Sequence, residues 1–114
     1  MTKIETTLEN LLQDIGGFYA PERYHFLTVN GIDVGERKIE LQWIFAHYGV
    51  KDDITIFFTI IPYDAPVPSV RSLIPSAYLS EMEIVDLFGL KIEGAQKGLY
   101  LDHDSMPTPL RRES

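Results

Sequence analysis

Lys38-Ile39-Glu40-Leu41-Gln42-Trp43-Ile44-Phe45-Ala46-His47-Tyr48 sets Ile39, Leu41, Trp43 and Phe45 on one side of the chain and Glu40 and Gln42 on the other. A period of two over this length is the mark of a strand half buried against a core. On either side lie two more runs rich in aromatic and β-branched residues, about Arg23 to Val34 and Ile54 to Ile61, which read as strands too. In the later run Ile54, Ile56, Phe58 and Ile60 alternate with Thr55, Phe57, Thr59 and Ile61. Apolar residues on both faces suit a more central strand, or one whose second face is covered. The connectors Gly35-Glu36-Arg37 and Gly49 to Asp53 are short enough for hairpins, so an antiparallel meander is the economical topology.

A helix must then cover the meander's apolar face. Ile4, Leu8, Leu11, Leu12 and Ile15 recur at helical spacing, with Glu5, Glu9, Asn10, Gln13 and Asp14 on the other faces. Thr2-x-x-Glu5 has the form of a capping box at the start of that helix, and Gly16-Gly17 of a left-handed stop at its end. Beyond the strands, Pro62, Pro66 and Pro68 mark an extended connector. Ser80-x-x-Glu83 is a second capping-box pattern, followed by Ile84, Val85, Leu87, Phe88 and a terminating Gly89, which predicts a short second helix starting as early as Ser76. From Gly94 on periodicity fades, and Pro107 and Pro109 forbid a helix through an extended tail at about 103–114. The expected fold is a two-layer α+β domain. A sheet of at least three mostly antiparallel strands is packed by the N-terminal helix and the second short helix, with 1–114 forming one domain.

Composition narrows the function. Ten Lys plus Arg against 17 Asp plus Glu give a net charge of −7, which argues against a nucleic-acid binder that neutralises phosphates and against adhesion to anionic lipid. A basic protein partner stays open. With no cysteine, disulfides, thiolate metal sites, cysteine-ligated iron–sulfur clusters and a Cys nucleophile are all excluded. The apolar run Ile54 to Ile61 is far shorter than the roughly 20 residues of a membrane helix, and Met1-Thr2-Lys3-Ile4-Glu5 lacks the apolar stretch of a secretory signal. The expectation is a soluble, cytoplasmic chain.

Individual side chains offer little independent chemistry. His25 and His47 sit inside strands, where a hydrogen-bonded structural histidine is the plainer reading. Asp102-His103-Asp104 has metal-ligating groups, but neighbours in an extended segment point apart, so a solvated turn is the better account. Glu81, Glu83 and Asp86 form an acidic group on the second helix. The macrodipole explains the two early carboxylates; Asp86, near the C-terminal end where an anion is disfavoured, calls for a cationic partner. No nucleophile lies between Glu81 and Leu87, and no phosphate-binding glycine motif occurs. The tail Pro107-Thr108-Pro109-Leu110-Arg111-Arg112 is either a solvated terminus or a preorganised peptide that lays Leu110 and an arginine fork on another surface.

Taken together, Pro75-Ser76-Ala77, Glu81-Met82-Glu83-Ile84-Val85-Asp86-Leu87-Phe88-Gly89-Leu90, Gly94 and Pro109-Leu110-Arg111-Arg112 resemble the C-terminal signature of the thirty-kilodalton subunit family of respiratory complex I. This is a subunit of NADH:quinone oxidoreductase, with relatives in energy-converting and membrane-bound nickel–iron hydrogenases. Met82 stands where the family usually has Arg, Val85 where an aromatic is frequent, and Ala95-Gln96 where His-Pro is usual. Contacts made by those groups do not carry over. The compact chain looks most like the hydrogenase-linked branch.

The resemblance implies a non-catalytic subunit of a complex's cytoplasmic arm, peripheral to the membrane and not inserted in it. It would carry no cofactor of its own and pack against the large subunit, which bears the quinone site or the nickel–iron centre, and a neighbouring iron–sulfur subunit. On that reading Glu81, Glu83 and Asp86 form a charged network that fixes the second helix and faces the large subunit, Phe88 and Gly89 set the helix exit, and Pro109, Leu110, Arg111 and Arg112 form a docking strap. The competing readings are a free-standing small α+β ligand-binding or regulatory domain and, more distantly, a metal-dependent hydrolase using Asp102, His103 and Asp104.

Overall fold

The computed structural model of the chain describes residues 1–93. In chain order its elements are β1 (Thr2–Glu5), α1 (Leu11–Phe18), β2 (Tyr24–Gly35), β3 (Lys38–His47), β4 (Ile54–Pro62), β5 (Pro66–Val67), α2 (Ala77–Phe88) and β6 (Lys91–Ile92). The fold is α+β, as expected. Strands β2, β3 and β4 form the antiparallel meander, and β1 adds a parallel edge strand beside β4, giving the order β1-β4-β3-β2. A second, two-stranded sheet pairs β5 with β6 in parallel, so the proline connector does contribute one short ladder.

Register decides which side chains enter the core. Ile39, Leu41, Trp43 and Phe45 of β3 are all buried, and they stand opposite Ile61, Thr59, Phe57 and Thr55 of β4. In the doubly apolar β4 it is therefore the threonine-bearing set that faces inward. Helix α1 covers this face: Leu11 and Ile15 are wholly buried, and the Phe18 ring lies 4.2 Å from Tyr24, 5.4 Å from Phe45 and 5.2 Å from Phe57. Such edge and tilted contacts add to the area buried. Helix α2 lies along β2 on the same side, where Gly31 leaves room for the Phe88 ring: a Cβ at residue 31 would fall 2.9 Å from Phe88 Cε2 and 3.0 Å from Ile39 Cδ1.

The hairpins fall where expected. Between β2 and β3 the two central residues, Glu36 and Arg37, have φ of 55° and 60°, the left-handed pair of a type I′ turn, without the Asn or Gly that normally relieves it. Asp33 Oδ1 accepts a hydrogen bond from the Gly35 N–H at 2.9 Å just before the turn. Both strand histidines are partnered, His47 Nδ1 with Asp53 Oδ2 at 2.9 Å and His25 Nδ1 with the Tyr48 hydroxyl at 3.3 Å.

The start and the stop of α1 differ from expectation, whereas α2 starts and stops where expected. Thr2 to Glu5 is not a capping box but strand β1, in register with Thr55 to Phe58. The helical spacing of Ile4 is coincidental; pairing with β4 outweighs a local pattern. Helix α1 starts only at Leu11, after Asn10, and runs through Gly16 and Gly17 to Phe18. A Cβ at Gly16 would be in ordinary contact with Leu73 and one at Gly17 would meet nothing within 4 Å, and both glycines lie within the helix instead of ending it. The Ser80-x-x-Glu83 box does not start α2, which begins at Ala77 behind Ser76; Ser80 bonds the sheet instead. Gly89 ends α2 as expected, with φ of 72° and its N–H donating to the Val85 carbonyl at 2.8 Å. Residues 94–114, with Asp102-His103-Asp104 and the tail, lie outside the described residues.

Candidate functional site

Five of the expected site residues, Glu81, Glu83, Asp86, Phe88 and Gly89, lie on α2 or at its end, while Pro109, Leu110, Arg111 and Arg112 lie outside the described residues. The helix divides the three carboxylates. Glu81 is 2% exposed and Asp86 is 0% exposed, whereas Glu83 is open to solvent. Glu83 and Asp86 stand at i, i+3 on the helix, and the boundary of burial passes between them.

Glu81 joins α2 to the proline connector. Its Oε1 accepts the Ser69 hydroxyl at 2.6 Å and its Oε2 accepts the Val70 N–H at 2.8 Å. Ser69 Oγ in turn accepts the Arg71 N–H at 3.2 Å, and the Arg71 guanidinium lies 5.3 Å from the Tyr78 ring centre. Burial raises the Glu81 pKa above its ordinary value, opposed by the Ser69 and Val70 hydrogen bonds and by the Arg71 charge. A carboxylate that fastens two donors of a loop is an anchor, and the Ser69 hydroxyl beside it is engaged in holding that loop, donating to Glu81 and accepting from the Arg71 N–H. Asp86 is fully enclosed, and among the described residues no buried side-chain nitrogen or oxygen lacks a hydrogen-bond partner.

Ser80, one turn before Ile84, ties the same helix to the sheet. Its Oγ lies 2.8 Å from Thr28 Oγ1 and accepts the Val29 N–H at 3.3 Å, so the helix satisfies a backbone donor of the edge strand β2. Phe88, 5% exposed, closes the other end against Gly31 and Ile39. Sequence reasoning missed Ser69, Val70 and Gly31, and read Ser80 as a helix cap when its hydroxyl bonds the sheet. Their partners are distant in the chain, and no local pattern announces such contacts.

Among the described residues no group of three or more His, Asp or Glu side chains is gathered as a metal site requires, and no helix is long and apolar enough to cross a membrane. A cleft of about 650 Å³ beside β5 and β6 has Leu8, Pro66, Val67, Pro68 and Ile92 among its lining residues. Glu9, Lys91 and Glu93 complete its otherwise aliphatic walls.

A comparison with curated proteins finds no match. Among solved structures, a chain of the membrane-bound sulfane sulfur reductase, an archaeal respiratory membrane complex, shares this fold with a TM-score of 0.69 at 20% identity. The likeness covers 92% of this chain, which spans 63% of that chain's length. The model of the family described as the respiratory-chain NADH dehydrogenase 30 Kd subunit matches residues 4–114, from the first strand through α2 and beyond. With the carboxylate-bearing helix and its Phe88-Gly89 exit in place on this fold, the chain belongs to the family of the 30 Kd subunit of respiratory-chain NADH dehydrogenase.

Proposed function

We propose that the chain is a non-catalytic structural subunit in the cytoplasmic arm of a membrane-bound electron-transfer complex, of the NADH:quinone oxidoreductase or energy-converting hydrogenase type. It packs against the large subunit beside an iron–sulfur subunit, and the redox chemistry belongs to those partners. The observation that carries this reading is the family match over residues 4–114, seconded by a fold shared with a chain of a respiratory membrane complex.

Within that role the three carboxylates divide their work. Glu81 and Asp86 hold α2 from inside, Glu81 by fastening it to Ser69 and Val70, while the exposed Glu83 faces the large subunit. Phe88 and Gly89 fix the helix exit, and Pro109, Leu110, Arg111 and Arg112 act as a strap on the partner. The test is purification of the tagged chain from detergent-solubilised native membranes. A large subunit and an iron–sulfur subunit are expected with it in fixed proportion. Recovery of the chain alone, while the complex purifies intact without it, overturns the proposal. Truncation before Met106 tests the strap, whose role is wrong if the shortened chain is recovered in the complex as well as the full one.

A further inference from the structure

Both helices lie on one face of the four-stranded sheet, through Phe18 on Phe45 and Phe57 and through Phe88 at Gly31. The opposite face is unlike a water-facing one. An antiparallel sheet packed on one side normally presents polar residues on the other. Here the rung Ile32–Glu40–Ile60 sets a carboxylate between two isoleucines that are 44% and 51% exposed, and the next rung brings Phe58 beside Gln42 and Asn30.

The polar groups on this face are chained to one another. Asn30 Nδ2 donates to Gln42 Oε1 at 3.3 Å, and Gln42 Nε2 donates to Glu40 Oε2 at 2.6 Å. Lys3 Nζ donates to the same Oε2 at 3.2 Å, with its ammonium 4.5 Å from the centre of the Phe58 ring. Among the described residues no donor reaches Glu40 Oε1. The Glu40 side chain is 14% exposed and gripped through Oε2 by Lys3 and Gln42, so its second oxygen is an acceptor held in fixed position on the rung between Ile32 and Ile60. Exposed aliphatic residues around one oriented charged acceptor have the make-up of an interface core. The occupant's charge follows from the chain's own: a net charge of −7 opposes a second copy and favours a partner that brings a cation.

We infer that this outer face is where a neighbouring subunit of the complex docks, seating aliphatic side chains on Ile32, Phe58 and Ile60 and one Arg or Lys on Glu40 Oε1. The inference rests on the subunit reading above and adds the surface and its chemistry. It is tested with Ile32→Asp/Ile60→Asp, both changes at exposed positions, and with Glu40→Gln, each in the full chain recovered from native membranes. The double variant is expected to keep its circular dichroism and to lose about tenfold or more of the subunits recovered with the wild-type chain, the effect of roughly 1.4 kcal/mol or more at the interface. Glu40→Gln is expected to weaken recovery less and to make it less sensitive to salt. Recovery of the double variant at the wild-type level overturns the inference. So does a wild-type dimer that this variant makes monomeric while assembly is unaffected, since the occupant is then a second copy. If the double variant does not fold, hydroxyl-radical labelling of wild-type Phe58 and Ile60 decides: protection in the complex relative to the isolated chain is expected, and equal labelling overturns it. If the wild-type chain brings down no subunit at all, it is the subunit reading that has failed.

Discussion

Gly31→Ala is a single-methyl perturbation at the junction of α2 and the sheet. The added Cβ would lie 2.9 Å from Phe88 Cε2, 3.0 Å from Ile39 Cδ1 and 3.2 Å from Phe88 Cδ2, inside normal carbon contact. Neither neighbour has free space to retreat into, as Ile39 is 0% and Phe88 5% exposed. Overpacking of this kind costs about 1–3 kcal/mol. Two buried neighbours are struck at once, which puts the cost in the upper part of that range, about 2–3 kcal/mol; replacing a strand glycine returns roughly 0.5–1 kcal/mol of backbone entropy, so the net loss is about 1–2.5 kcal/mol. In urea, with a slope of about 2 kcal/mol/M, the midpoint falls by ~0.5–1.2 M while the slope stays fixed. Phe88→Leu removes the ring atom that is struck first, so the two substitutions are expected to couple by about 0.5–1 kcal/mol in a double-mutant cycle. A Gly31→Ala protein as stable as wild type, or a penalty unchanged in the Phe88→Leu background, would show that Gly31 is not there for the ring.

Ser80→Ala removes the acceptor of the Val29 N–H and the Thr28 contact, and should cost about 1 kcal/mol with faster amide exchange at Val29. Glu81→Gln tests the buried anchor through pH. The folded-state pKa of Glu81 lies above its ordinary value of 4.5, so between the two the unfolded chain binds fewer protons and wild-type stability falls as pH rises. Urea midpoints measured from acidic to neutral pH should show this downward contribution in wild type and lack it in Glu81→Gln; identical profiles refute the assignment. Replacing Glu36-Arg37 by Asn-Gly puts residues suited to positive φ at both central turn positions and should stabilise the chain by about 1–2 kcal/mol, read as a higher thermal midpoint.

What could be read from the sequence was local and periodic. The alternation from Ile39 to Phe45 placed β3 and its inward face, and the short Gly35 and Gly49 connectors gave the meander. Gly89 announced the end of α2 because a left-handed residue there needs no distant partner. Ile4 misled because one residue can fit two periods at once, and its true neighbour, Phe57, is supplied by a strand far along the chain. Ser80 had the form of a cap, but its hydroxyl is taken by Thr28 and Val29. Of the candidate site, the sequence grouped Glu81, Glu83 and Asp86 on one helix, yet gave no sign that Ser69 and Val70 would enclose the first, since that contact depends on how the connector folds back.

The parallel edge strand has a consequence for the order of assembly. Strands β2 to β4 join through short hairpins, so each can zip onto its predecessor as it forms. Thr2 must wait for Thr55, and Glu5 for Phe58, across the whole meander. Thr2 to Glu5 are thus made before their partner strand and are among the last residues to find their place, after a long loop has been closed. The same strand should be the first to detach under mild denaturant, and Lys3, which it carries to Glu40, would leave with it.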